Sequence, residues 1–435
     1  MIHKFEISGK FFVLDVNSSS VHIVDKLVYD VLDFYPFEEI PKELLNKELS
    51  SKEDIAEVME ELAELTAQKT LFTTDTYENI PQRDVGKPII KALCLHLAHD
   101  CNLRCAYCFA DEGKFGGKTG LMPKEVAHRA IDFVAQNSAG RQNLEIDFFG
   151  GEPLLNFDVL KDTVDYARNL QSGKNFHFTL TTNGLLLDEQ KNQYINENMD
   201  NVVLSLDGRR SVNDKMRKTP SGAGSHDLIL PRFLELIKNR DKDYYVRGTY
   251  TRENMDFSQD VLHLYKSGFK HISVEPVVCT GDLSFRNEDL PKLYDEYEKL
   301  LDIVRENEID FFHFNIDLSG GPCVYKRMAG CGAGTQYLAV TPNGDFYPCH
   351  QLVGNKNYLL GNVFEGITSP CGELHDLNVY AKEICKNCWA KFFCGGGCVA
   401  NALNLNGDIY KPYEIGCELQ KKRIECALAH YCRLI

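Results

Sequence analysis

Between residue 91 and residue 304 the chain alternates short apolar runs with amphipathic stretches, six times over. The apolar runs fall at 92–98, 144–149, 176–181, 202–206, 244–250 and 272–278. Stretches with helical spacing follow them at 123–136, 157–170, 188–198, 228–238, 258–265 and 290–304. Continuous apolar strands separated by amphipathic helices predict a parallel sheet covered by helices. The preceding segment differs. Runs at 5–7 and 11–16 flank Ser8-Gly9 and predict a hairpin. Val21, Ile23, Val24, Leu27, Val28, Val31 and Leu32 keep near-helical spacing and predict a first helix. A second helix is predicted from Ser51 through Ile55, Val58, Met59, Leu62 and Leu65, with Ser51 and Asp54 as start signals. Residues 70–74 read as a returning strand, and the polar stretch 76–88 reads as a linker. After about residue 315 the periodicity fades. That segment holds eleven of the sixteen cysteines and many glycines, which predicts a fold built around metal rather than a large core.

A length of 435 residues sets two or three domains as the expectation, and 43% apolar residues suffice for sizeable cores. With a net charge of −15 and no concentrated Lys/Arg stripe, a nucleic-acid partner is not expected. No apolar stretch approaches bilayer length and no leader pattern opens the chain, so no membrane association is expected. A cytoplasmic location follows as an expectation, with the cysteines reduced and serving as metal ligands.

The densest chemistry lies in His99-Asp-Cys101-Asn-Leu-Arg-Cys105-Ala-Tyr107-Cys108-Phe, directly behind the first apolar strand. C-x3-C-x2-C aims three thiolates at one centre and supplies no fourth ligand. Closed zinc sites use four protein ligands, so three imply an open position. An iron–sulfur cube with one unliganded iron fits that arrangement. Gly150-Gly151-Glu152-Pro153 ends the second strand. Its glycines permit close backbone approach to a ligand, and its acid can accept hydrogen bonds from an ammonium; a plain βα turn is the alternative. Thr181-Thr-Asn183-Gly ends the third strand and Ser205-Leu-Asp-Gly208 the fourth. Near the C-terminus, Cys331, Cys349, Cys385, Cys388, Cys394, Cys398 and Cys417 form the series C-x12-G-x4-C…C-x2-C-x5-C-x3-C…C. A zinc module rarely needs that many interleaved thiolates.

The cysteine loop and the strand-end motifs together resemble the radical S-adenosylmethionine (radical SAM) superfamily, and the C-terminal series resembles its SPASM domain. The resemblance implies an α/β fold: a partial (β/α)6 TIM-type barrel over 88–315 and a Cys-rich SPASM domain over 316–435. Ahead of them, residues 1–82 look like a winged-helix-type element for peptide recognition. Barrels of this kind carry their chemistry on loops after strand C-termini. The implied cofactors are three [4Fe-4S] clusters and S-adenosylmethionine. Cys101, Cys105 and Cys108 would hold the first cluster, the aromatic Tyr107 standing before the last of them. Gly150, Gly151 and Glu152 would bind SAM through its amino group, Ser205 and Arg217 through its carboxylate, and Asn183 through ribose or methionine groups. Arg209 and Arg210 compete with Arg217 for that role, and the strand-six segment Val274-Glu275-Pro276 would lie near adenine. Arg247 and Arg252 stay open between structural and ligand-facing roles. Cys385, Cys388, Cys394 and Cys417 would close a distal auxiliary cluster. Cys331, Cys349 and Cys398 would hold a proximal one, with Cys323 as a candidate fourth ligand. The expectation is that one proximal iron lacks a protein thiolate until peptide arrives. Cys94 reads as core, Cys279 as core or mouth-facing, and Cys371, Cys426 and Cys432 have no assigned role. His96, His99 and His350 read as structural.

The resemblance is closest to maturases that form thioether (sactionine-type) bridges in ribosomally made, Cys-rich peptides of the SCIFF class. Its implied partners are a precursor peptide with a leader and an electron donor such as flavodoxin or ferredoxin. Two other readings stand beside it: oxidation of a Cys or Ser in a protein, as in sulfatase maturation, and a non-catalytic, metal-bound peptide-binding protein.

Overall fold

The computed structural model describes residues 1–45, 51–79, 88–316, 318, 327–370 and 372–434. The first unit is a three-stranded antiparallel sheet of β1 (Ile2–Ile7), β2 (Lys10–Asp15) and β3 (Val21–Val24). The hairpin turns at Ser8-Gly9, both in the left-handed region. The first helical expectation is half corrected: Val21–Val24 pairs with β2 as a strand, and only Lys26–Val31 is helix (α1). Pairing beside the hairpin overrides a spacing that fits either state, and Asp25 caps the helix where the strand ends. After one turn of helix at Lys42–Leu45 (α2), helix Lys52–Ala67 (α3) starts where expected, under a capping box made by Ser51 and Asp54. The strand expected at 70–74 does not form. Those residues turn instead, with Thr73 bound through its N–H and hydroxyl to the buried Asp15 carboxylate.

The small sheet is covered on both faces. Val13 packs with Val28, Val31, Ile55, Val58 and Leu62 of its own helices. Phe5, Ile7, Phe12 and Leu14 join the main core of the molecule. The linker expectation over 76–88 falls partly on residues 80–87, outside the described ones. The described part is anchored: Tyr77 packs edge-on against Phe392 at 5.2 Å, and Glu78 pairs with Lys386 at 2.6 Å.

The six expected strands all form. They are β4 (Ala92–His99), β7 (Asn143–Gly150), β8 (Asn175–Thr182), β9 (Asn201–Ser205), β11 (Asp243–Tyr250) and β12 (His271–Pro276). They run parallel in the order β4-β7-β8-β9-β11-β12. Short pieces complete the set: β5 (Arg104–Cys105), β6 (Gly120–Leu121), β10 (Arg217–Lys218) and β13 (Asp310–Phe311). The crossovers are α4 (Lys124–Gln136), α5 (Phe157–Asn169), α6 (Glu189–Asn198), α7 (Arg210–Met216), α8 (His226–Lys238), α9 (Ser258–Lys266) and α10 (Leu290–Asn307). Leu144, Ile146, Phe148, Phe178, Leu180, Val202 and Leu204 are buried in the core. The alternate positions are less buried and mostly polar, including Asp147, Thr179, Thr181, Ser205, Arg247 and Glu275. The strands after β4 are therefore alternating rather than continuously apolar, as a sheet with one packed and one accessible face requires.

The C-terminal third departs from its expectation. β14 (Tyr337–Val340) adds to β4 in parallel, and β15 (Asp345–Tyr347), β16 (Gly361–Asn362) and β17 (Gly366–Ile367) extend the same sheet. With β13 at one edge and β17 at the other, the sheet stays open. Helix Glu414–Leu434 packs on α10 and β1. Leu338, Val340, Phe346, Phe392, Leu419 and Leu428 are fully or almost fully buried in the main core. This segment thus has an apolar core, which short strands and one long helix supply without a periodicity visible over its loops.

Candidate functional site

The cysteine loop hangs from the C-terminal end of β4. Three side chains and two glycines fix it to neighbouring strands. The Gly151 N–H donates to the Ala98 carbonyl at 2.8 Å, and the Glu152 N–H donates to the Asp100 carbonyl at 2.9 Å. A Cβ at Gly151 would lie 2.1 Å from the Asp100 oxygen, and one at Gly150, whose φ is 124°, would lie 2.4 Å from the Ala98 oxygen. These glycines make room for the loop's own backbone. The close approach expected toward a ligand is made, in this structure, by residues 98–100.

Glu152 is 1% exposed. Its Oε1 accepts from Leu154 N–H at 3.0 Å and from the Thr182 hydroxyl at 2.8 Å. Its Oε2 accepts from Asn183 N–H at 2.8 Å, which leaves one acceptor position of a carboxylate's roughly four. Burial lifts this carboxyl to about 7, against the pull of those donors. The Asn183 amide donates to Asn102 Oδ1 at 2.7 Å and reaches Cys101 Sγ at 3.7 Å, so the ends of β7 and β8 both grip the loop.

On the other side, β10 pairs with β5 and sets Arg217 opposite Cys105. Arg217 Nη1 donates to the Tyr107 hydroxyl at 3.1 Å, and that hydroxyl donates to both Asp207 oxygens at 2.7 and 2.8 Å. Arg217 is buried, and its Nε has no partner among the described residues. The two competing arginines are tied to carboxylates. Arg209 is held by Asp256 and Asp260, each at 2.8 Å, and Arg210 pairs with Asp227 at 3.0 Å. Arg252 is likewise engaged, with Glu288 at 2.7 Å and Asp289 at 2.9 Å. Arg247 faces Glu275 at 3.5 Å on the accessible side of the sheet. Ser205 ends β9, half-buried. Asp207 was passed over in the sequence, since Asp-Gly after a strand reads as an ordinary turn. Only the fold brings it to Tyr107.

Cys101, Cys105 and Cys108 act on one another electrostatically, and burial pushes the Cys101 thiol up to about 12. The C-terminal thiols gather as two groups. Cys349 is influenced by Cys398 and Cys331, and Cys417 by Cys394, Cys385 and Cys388. A cavity of about 280 Å³ is lined by all four of the latter. Backbone N–H groups of Gly396 and Gly397 point to Cys394, those of Ala400 and Asn401 to Cys398, and those of Gln351 and Leu352 to Cys349. Among the described residues no three His, Cys, Asp or Glu donors converge on a single-ion site. A cube that takes one thiolate at each of several irons does not require such convergence. The donor chemistry, the N–H groups aimed at sulfur and the orphaned Arg217 Nε all suit thiolate-bound clusters and an anionic ligand. Cys323 and Cys371 lie outside the described residues.

His96 and His99 are buried and bonded to each other at 3.1 Å. His350 rests between Phe109 and Phe149, with ring centroids 5.5 and 5.1 Å away. Cys94 and Cys426 are core residues, each at most 1% exposed.

Residues 90–230 match a family model described as a 4Fe-4S single cluster domain. The radical SAM cyclopropyl synthase TigE of Paramaledivibacter caminithermalis is 24% identical over 76% of this chain and 72% of its own. A cysteine-type anaerobic sulfatase-maturating enzyme of Clostridium perfringens is 26% identical over 72% of this chain and 89% of its own. Among solved structures, anSMEcpe with bound AdoMet and Cp18Cys peptide superposes with a TM-score of 0.64 at 22% identity, covering 79% of this chain and 98% of that one. The chain thus shares the fold of anSMEcpe, and its relatives in sequence include a radical SAM cyclopropyl synthase and sulfatase-maturating enzymes. Streptococcus suis SuiB bound to S-adenosylmethionine shares the fold more extensively, covering 95% of this chain and 98% of that one, with a TM-score of 0.53 at 16% identity. Among the described residues no helix is long and apolar enough to cross a membrane.

Proposed function

We propose that this chain is a radical SAM enzyme that joins a cysteine sulfur to a carbon of a ribosomally made, Cys-rich peptide. The observation that carries the reading is the gathering of Glu152, Asn183 and Arg217 around a three-thiol loop, with seven further thiols gathered as three and four. In this reading Cys101, Cys105 and Cys108 hold the first cluster. The free acceptor position of Glu152 takes the SAM ammonium, and Arg217 offers its unpartnered donor to the carboxylate. Tyr107 and Asp207 keep that guanidinium aimed at the loop. Bound there, an iron–sulfur cube and SAM supply a radical able to take hydrogen from an unactivated carbon. The C-terminal groups of four and three thiols would each hold an auxiliary cluster, completing three domains with boundaries at 1–82, 88–315 and 316–435.

The peptide substrate is supported by relatives named as sulfatase-maturating enzymes and by SuiB solved with its precursor peptide SuiA. SuiB covers 95% of this chain where anSMEcpe covers 79%, a difference close in size to the N-terminal unit. That unit presents β3 as an edge strand with Ile23 exposed, a surface on which a leader can add as a further strand. A second reading, oxidation of a protein Cys or Ser, draws on the sulfatase-maturating relatives. The reading also places the chain in the cytoplasm with a flavodoxin- or ferredoxin-type donor.

Anaerobic co-expression with a Cys-rich peptide encoded beside this chain separates the two. Each thioether removes two hydrogen atoms and protects one cysteine from alkylation, and fragmentation locates the bridge. An unbridged peptide whose cysteine or serine has become an aldehyde would instead establish the second reading.

A further inference from the structure

Lys382 is 3% exposed, deep for a lysine. It stands at the N-cap of the short helix Glu383–Lys386 that carries Cys385. Its ammonium donates to the Gly396 carbonyl at 2.7 Å. Two nearby lysines each have a carboxylate, Glu78 for Lys386 and Asp75 for Lys391, both at 2.6 Å. Among the described residues Lys382 pairs with none.

The carbonyl it holds belongs to Gly395-Gly396-Gly397, the bridge from Cys394 to Cys398. These glycines have φ of 69°, 90° and 73°, a left-handed run that takes the chain from the four-thiol group to the three-thiol group. Lys382 also borders the cleft beside Cys331. Burial disfavours its charge, and the groups acting in favour of that charge are Cys385, Cys394 and Cys417 of one set and Cys398 of the other. A buried ammonium with one neutral acceptor is costly unless an anion lies beside it. Neutral thiols are no such anion. Thiolate-ligated clusters are, and they gain negative charge on reduction.

We propose that Lys382 is the shared counter-charge of the two auxiliary clusters, a positioning residue that favours their reduced states and raises both reduction potentials. The inference rests on the reading of two auxiliary clusters given above. Its chemistry is that net charge and hydrogen bonding around a cluster set its potential.

The test is a redox titration followed by electron paramagnetic resonance on the reconstituted full-length chain. Cys101, Cys105 and Cys108 are replaced by Ala, so that only auxiliary signals remain. Lys382→Gln removes the charge and keeps a donor for the Gly396 carbonyl. Its expected result is both clusters retained, each with reduction disfavoured about tenfold, a negative shift of roughly 59 mV for one electron. Two retained clusters with unchanged midpoints would overturn the inference and leave the two-cluster reading standing. If Lys382→Gln sheds a cluster, Lys382→Arg decides: content and midpoints restored by the charge support it, and failure of Arg as well overturns it. Fewer than two auxiliary signals with Lys382 intact would overturn the two-cluster reading itself, and this inference with it.

Discussion

The loop at residues 101–108 hangs from the ends of parallel strands inside a shell of polar side chains, whereas the C-terminal thiols are carried by short helices, turns and the start of the last helix, with glycines and backbone N–H groups around them. Around the loop, Glu152, Asn183, Tyr107, Asp207 and Arg217 form a bonded shell carrying both signs of charge. Around Cys394 and Cys398 there are instead consecutive glycines, N–H groups and one buried lysine. The contrast teaches what each region is fitted to. A polar shell with an unsatisfied guanidinium and one free acceptor position suits a zwitterionic ligand that comes and goes. Thiols surrounded by amide donors suit a permanent anionic guest whose charge changes by one.

The sharpest way to break that contrast is to remove thiols from each region. Cys101→Ala, Cys105→Ala or Cys108→Ala should abolish reductive cleavage of SAM, measured as 5′-deoxyadenosine under anaerobic conditions. Cys385→Ala or Cys417→Ala should leave cleavage measurable and stop peptide cross-linking. Equal loss of cleavage from both regions would end the division of labour proposed for them.

A smaller effect is expected from the shell. Arg217→Met should weaken SAM binding roughly ten- to a hundredfold, the range of about 1.5–3 kcal/mol for a hydrogen bond to a charged group. Calorimetric titration checks it, and an unchanged affinity would return Arg217 to a purely structural role. Glu152 adds a pH signature. Because burial lifts its carboxyl to about 7, the ionised form that can pair with an ammonium gains population as pH rises through that value. SAM affinity should therefore climb between about pH 6 and 8 and level off above, while Glu152→Gln should bind more weakly with a flatter profile. The smallest effect is expected at Cys323. Its replacement by Ala should keep all three clusters and much of the cross-linking activity, counted by iron analysis and by product mass.

The parallel sheet was legible because each strand is apolar toward its helices and ends in a turn of distinctive composition, so position along the chain carried the motif. The residues at those strand ends stood out in the sequence for the same reason. Asp207 was not, because its partner Tyr107 is one hundred residues away and neither residue signals the other. The segment at 21–32 misled because apolar positions at 21, 23 and 24 satisfy a strand period and a helix period equally well; pairing with β2 decided between them. The C-terminal third misled in another way. Its thiol spacing announced metal chemistry, and that signal masked the ordinary core formed by Leu338, Phe346, Phe392 and Leu428. Lys382 had no signal at all, since one lysine before a C-x2-C looks like any surface charge.

His3 lies face to face with Trp389, ring centroids 3.7 Å apart and planes within 4°, while its Nε2 meets Glu425 at 2.9 Å. Trp389 directly follows Cys388 and is the chain's only tryptophan. The first strand of the N-terminal unit is thereby in van der Waals contact with the residue next to a cysteine of the four-thiol group. The molecule consequently carries its own optical gauge. One indole emission would answer both to the seating of the N-terminal unit and to absorption by an iron–sulfur cluster held in the neighbouring cavity, so displacement of that unit and cluster loading would both be readable in the unlabelled protein.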